Sequence, residues 1–176
     1  MATASNAVLP SGVYALRWYG LALSVILLDR YTKGLASAGL EYGRPVEVFS
    51  WFNLTLQHNT GAAFSFLSDA GGWQRYFFSA VAIAISAALV VWLYRTPRGH
   101  WLLSLSLALI LGGALGNLWD RLAMGYVVDF ISVHYDRHYF PAFNLADSAI
   151  SVGAAGMLLD SFTSGRAGAN SERKPD

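Results

Sequence analysis

The chain contains no cysteine, which removes disulfides, thiol nucleophiles and thiolate metal sites while leaving the compartment open. Charge is scarce as well. Asp, Glu, Lys and Arg supply 13% of the 176 residues, where soluble domains carry about a quarter. With 55% of residues hydrophobic, the deficit points away from a water-soluble globule. The net charge of +1, with no dense basic patch, argues against a nucleic-acid partner. No internal repeat is visible, which weakens an inverted-repeat transporter. No Ser or Lys stands in a context suggesting a nucleophile with its base, and no phosphate-binding glycine loop occurs. His134 and His138 are four apart, a possible metal spacing on a helix, but no HExxH pattern accompanies them and interfacial polar residues explain them well. Neither a metal nor a cofactor is expected.

What the chain has is long apolar stretches, and its length fits one domain. Residues 1–13 read as a flexible terminus, 14–163 as a single membrane domain, and 164–176 as a disordered tail. Residues 77–94 and 101–119 carry no charge, and both are long enough to span a bilayer. Trp73, Tyr76, Trp92, Tyr94, Trp101 and Trp119 sit at their ends, as interfacial aromatic belts do. Spans are expected at about 14–33, 73–94, 101–120 and 144–162. The first is interrupted by Arg17 and Asp29, whose side chains must then lie near the two faces. A cleavable signal peptide with Ala36-Ser37-Ala38 as its site is the rival there, weakened by the polar residues between it and the apolar run.

From Glu41 to Asn59 the period changes: Phe52, Leu54 and Leu56 alternate with Asn53, Thr55 and Gln57. Period two predicts half-buried strands, hence a small surface sheet over 41–59. Asn59-Thr60-Gly61 closes it with turn chemistry, and residues 62–67 are apolar enough to dip back into the bilayer. The loop with Arg95 and Arg98, the tail with Arg166, Arg173 and Lys174, and Arg17 all fall on one side of four spans. The positive-inside rule makes that side cytoplasmic, with both termini. The 34–72 segment, including Glu41, Glu47 and Asp69, and the 120–143 connector lie outside.

Asp129 and Asp147 then share the outer face, each among apolar residues. Ionisable groups at a membrane boundary are functional candidates. Two close carboxylates cannot both ionise, so one keeps a proton while the other acts as a base. Such a pair can activate water against an amide. Bland alternatives stand beside this one. Asn144 followed by Asp147 has the form of a helix capping box, and Asp129 could be a surface acid past the third span. Asn117 and Arg121 share a helical face and could orient the acids or hold substrate carbonyls, or simply anchor an interface, with Asp120 pairing Arg121 or another base. Gly112 and Gly116 form a G-x-x-x-G face for close helix approach. Asp29 and Lys33 fit a structural i,i+4 pair.

Five blocks in order carry a family resemblance: 29–33, Asn59-Thr60-Gly61-Ala62-Ala63-Phe64-Ser65, 112–121, Val127-Val128-Asp129-Phe130, and Phe140-Pro141-Ala142-Phe143-Asn144-Leu145-Ala146-Asp147-Ser148. With them the chain resembles lipoprotein signal peptidase (signal peptidase II), an intramembrane aspartic peptidase family of bacteria. The resemblance implies Asp129 and Asp147 as the catalytic pair. It also implies that Asp29, Asn59, Gly61, Asn117, Arg121 and Asn144 support the site or hold substrate. It further implies an inner-membrane protein whose site faces outward. The substrate would be a prolipoprotein carrying diacylglycerol on a cysteine, cut just before that cysteine, and globomycin-type cyclic peptides would occupy the site. Membrane lipids are the other expected partners, and a monomer is expected. One departure is Arg30, where the family usually has Gln; it alters local pairing at the first span.

The expected architecture is thus four transmembrane helices with a small outer β-sheet between helices 1 and 2. A short outer-face lid over 131–142 joins helices 3 and 4, and the 41–59 sheet cradles the extended signal-peptide end or the lipid. A proton-coupled transporter and a non-enzymatic assembly factor are the rival functions. The former needs ionisable groups at mid-depth, whereas here they gather at one face. The latter would tolerate acid-to-amide changes.

Overall fold

The structure, a computed structural model, describes residues 12–61 and 72–171, with side chains through 163. The terminal stretch 1–11, the apolar segment 62–67, Asp69, the Arg166 side chain and residues 172–176, all of which bear on the expectations above, lie outside the described residues.

After a single 3-10 turn at Gly12–Tyr14 come α1 (Ala15–Gly39), β1 (Val46–Phe49), β2 (Phe52–Asn59), α2 (Trp73–Arg95), α3 (Trp101–Ala123), β3 (Val127–Tyr135), β4 (His138–Tyr139) and α4 (Leu145–Ser171). Four helices are long and apolar enough to cross a membrane. α3 is the central one: most of its span is buried, far more than in the other three, and it packs against α1, α2 and α4. Small residues make this possible. A Cβ on Gly112 would lie 2.7 Å from the Val25 Cβ of α1, and one on Gly113 would collide with the Ala146 carbonyl of α4. Close approach through small residues stands in for the hydrophobic driving force that lipid does not supply. The apolar core, with Ala22, Leu89, Leu93, Leu107, Ala108 and Leu111, joins α1, α2 and α3.

Two helices run on past their expected ends. α1 continues through Lys33 to Gly39, because Lys33 is 2% exposed and neutralised by buried acids, so it marks no exit to water. α4 continues to Ser171; a polar composition from residue 163 onward marks the limit of an apolar span, which need not be the end of a helix.

The sheet is larger than the period-two stretch alone indicates. It is four-stranded, in the order β1-β2-β3-β4. β2 pairs antiparallel with β3 from Phe52↔Val133 to Asn59↔Val127, with a register shift between Leu54 and Gln57. Most of the 131–142 lid segment is therefore strand, with His134↔Tyr139 and Tyr135↔His138 joining β3 to β4. The β-branched run Val127, Val128, Ile131 and Val133 favours this, but Val127 to Asp129 are all buried, which blurs any alternation. His134 and His138 stand on two paired strands, so the helical metal spacing does not apply. Gly125, at φ 87°, lets the chain leave α3 and enter β3 almost at once.

Candidate functional site

Asp147 lies in the first turn of α4, and its own backbone N–H donates to Asn144 Oδ1 at 2.9 Å. Its Oδ2 accepts from the Asn144 backbone N–H at 3.3 Å, completing a reciprocal capping box. The remaining oxygen, Oδ1, accepts from Asn117 Nδ2 of α3 at 2.7 Å. Asp129, in β3 and 3% exposed, accepts from Asn144 Nδ2 on Oδ1 at 2.8 Å and from Asn59 Nδ2 on Oδ2 at 3.1 Å. Asn144, fully buried, thus engages both acids: its carboxamide N–H reaches Asp129 and its backbone N–H reaches Asp147. Capping and site-building are the same set of bonds.

The turn after β2 is held from two sides. Gly61 N–H donates to Asn59 Oδ1 at 3.0 Å, and Arg121 Nη2 donates to the Gly61 carbonyl at 3.2 Å. The Arg121 guanidinium also lies over the Phe78 ring. Burial pushes the Asp129 carboxyl up to about 7, and the charge of Asp147 adds to it. Hydrogen bonds from Asn59 and Asn144, with the more distant charge of Lys33, hold it back. A carboxyl in this range can hold or release a proton near neutral pH.

Behind the acids is an ion network that joins α1 to α3. Lys33 Nζ lies 2.7 Å from Asp29 Oδ2, 2.8 Å from Asp120 Oδ2 and 2.9 Å from Asn117 Oδ1. Three acceptors match the three protons of an ammonium. Since Lys33 occupies Asn117 Oδ1, the carboxamide must turn its Nδ2 toward Asp147. Arg30, whose guanidinium lies over Trp119, pairs with the other Asp120 oxygen. Asp29 touches neither acid. Its Oδ1 accepts from the Ala146 backbone N–H at 3.0 Å and so holds the start of α4.

Asn59, Asn117, Asn144 and Arg121 therefore gather with Asp129 and Asp147, Gly61 is tied in through its backbone, and Asp29 supports from behind. Sequence reasoning missed the reach of Lys33, which was paired with Asp29 alone; of the two partners open to Asp120, Arg121 or another base, the second holds, for Asp120 faces Lys33 and Arg30 while Arg121 turns to Gly61. The signal available was two polar triplets, 29/30/33 and 117/120/121, on helical arcs of adjacent spans. Among the described residues, no cluster of His, Cys, Asp or Glu has the form of a metal site. A cavity of about 620 Å³ opens at Asp147, with polar Asn59, Asn117, Arg121 and Asp147 and apolar Val127, Phe140, Phe143, Ile150 and Val152 in its lining.

A family model described as signal peptidase (SPase) II matches residues 21–163. A lipoprotein signal peptidase of Teredinibacter turnerae is 56% identical over 147 residues, spanning 84% of this chain and 88% of that protein. One of Acinetobacter baumannii is 57% identical over 145 residues, 82% of each chain. Among solved structures, a bacterial membrane enzyme determined by the in meso method at 2.3 Å resolution superposes with a TM-score of 0.77 at 29% identity, covering 91% of this chain and 93% of that one. The family model takes in part or all of each of the four long helices, and the chain belongs to the signal peptidase II family.

Proposed function

We propose that the chain is an endopeptidase that removes the signal peptide from diacylglyceryl-modified prolipoproteins, cutting just before the lipidated cysteine, with Asp129 and Asp147 as the water-activating pair. The observation that carries this is Asn144, which engages both acids, with Asp147 in the lining of a cavity that is part polar and part apolar. One carboxylate takes a proton from water as the oxygen attacks the scissile carbonyl carbon. The protonated partner donates a hydrogen bond to the oxyanion. Collapse of the tetrahedral adduct breaks the C–N bond, and the amine leaves with a proton from the pair. The pair titrates as a unit, so neither role belongs to one residue. Asn117, Asn59 and Asn144 keep the acids in register, and Arg121 holds the turn at Gly61.

A lipid-bearing substrate needs a site open to the bilayer, while its scissile amide needs polar partners; a cavity lined by both kinds of residue meets both needs. Charge asymmetry supports cytoplasmic termini and acids at the outer face, and membership of the family supports a bacterial inner membrane. Membrane lipids and globomycin-type cyclic peptides would share the apolar lining with substrate, and a monomer suffices because all the groups come from one chain.

The test is cleavage of a diacylglyceryl-modified prolipoprotein by purified protein in detergent. Asp129→Asn and Asp147→Asn are each expected to reduce turnover to background while melting cooperatively, and a chelator is expected to leave the wild type unchanged. Near-normal turnover by either variant would return that acid to a structural role.

A further inference from the structure

A second cavity, of about 350 Å³, lies against the sheet and is lined by Pro45, Thr55, Gln57 and Ser132 together with residues 139–142. Phe140, Pro141 and Ala142 line this cavity and the one at the acids, so a short strap forms a wall common to both. The two spaces differ in kind. Helical residues Ile150, Ser151 and Val152 line the first, whereas strands and connectors alone line the second. The second therefore belongs to the part of the molecule outside the spans.

Its strand lining is polar: Thr55 and Gln57 of β2 with Ser132 of β3. Gln57 pairs in register with Asp129, so this lining reaches toward the acids. Thr55 Oγ1 is buried and has no hydrogen-bond partner. Thr55 is 1% exposed. Buried polar groups are almost always satisfied, and an orphan in the lining of a cavity points to something that binds there.

We propose that this cavity is the subsite for the substrate chain beyond the scissile bond, the residues after the lipidated cysteine, held in extended form by their backbone N–H and C=O groups. The proposal rests on the peptidase reading above. The lipid and the apolar signal segment belong with the helical wall of the first cavity. The polar downstream chain must leave the bilayer, and the cavity beside Gln57 and Thr55 is a polar path from the acids that does so.

The experiment compares two synthetic substrates with the same diacylglyceryl-cysteine and signal segment. One ends at the cysteine as its amide; the other carries roughly six more residues, up to ~20 Å of extended chain. Thr55→Val keeps shape and removes the hydroxyl, and it is expected to raise KM for the long substrate about tenfold, with kcat and the short-substrate constants unchanged. Gln57→Trp, at an exposed position, fills the cavity and is expected to reduce long-substrate turnover more than short. Equal losses on both substrates would make the cavity a water or structural site and overturn the proposal, as would unchanged long-substrate kinetics in both variants. Failure of the wild type to cut either substrate would overturn the peptidase reading itself, and the subsite with it.

Discussion

The two ends of the bundle are built on different rules. At one, Leu89 and Leu93 of α2 meet Ala22 of α1 and Leu107, Ala108 and Leu111 of α3. Ten residues further along α3, Asn117 and Asp120 meet Lys33 and, from α4, Asp147. The first region depends on shape alone, since dispersion has no direction and lipid is as apolar as leucine. In the second, nearly every atom has a designated partner, and a wrong orientation leaves a buried charge or amide unsatisfied. One end can lose a methyl group and keep its chemistry. The other can keep its volume and lose its chemistry.

Breaking the second region gives the largest expected effect. Lys33→Met leaves Asp29 and Asp120 buried with one cation fewer, at a cost of about 3–5 kcal/mol, read as a lower melting temperature together with lost cleavage. Lys33→Met combined with Asp29→Asn removes one charge of each sign. It is expected to recover most of the melting temperature but not kcat, because Asn117 is no longer compelled to face Asp147. Full recovery of kcat would make the network merely structural. Next in size, Leu107→Ala in the apolar region is expected to cost roughly 2 kcal/mol, the low end for such truncations, because the bilayer removes part of the transfer contribution. Cleavage by the folded fraction should match the wild type; a change in kcat would erase the contrast between the two ends.

The last prediction concerns pH. Asp129 rises from 3.8 to about 7 in the folded protein, so between those values the folded state holds more protons than the unfolded one. Raising the pH then favours unfolding. The stability contributed by the protonated form is complete below 3.8 and is lost as pH passes through about 7. Asp129→Asn should flatten the dependence of melting temperature on pH across this window. An unchanged slope would mean that Asp129 titrates as an ordinary carboxyl.

The contrast also explains what could be read from sequence. Spans at 73–94 and 101–120 are stated by composition, because crossing a bilayer is a requirement on length and apolarity alone. Asn144 and Asp147 announce themselves because capping is local, three residues apart. β3 was harder. Its partner is β2, some seventy residues away (Asn59 reaches Asp129 across 70), and its first three residues are all buried, so no in-out alternation identifies it. Lys33 and Asp120 were legible as charges and as helical positions, but which helix faced which depended on Gly112, Gly113 and Gly116, whose missing side chains set the contact. Local rules reach the cap; only tertiary packing reaches the network.

Lys33 and Asp29 stand one helical turn apart on α1, whereas Arg30 and Asp120 are separated by 90 residues. The chain is made from its N-terminus, so the first span arrives in the bilayer with an acid and a base already compensating each other. The third brings Asp120 with no such companion on its own helix. Its charge is matched only by docking against a helix that is already in place, which makes electroneutrality a checkpoint on the order in which the spans assemble.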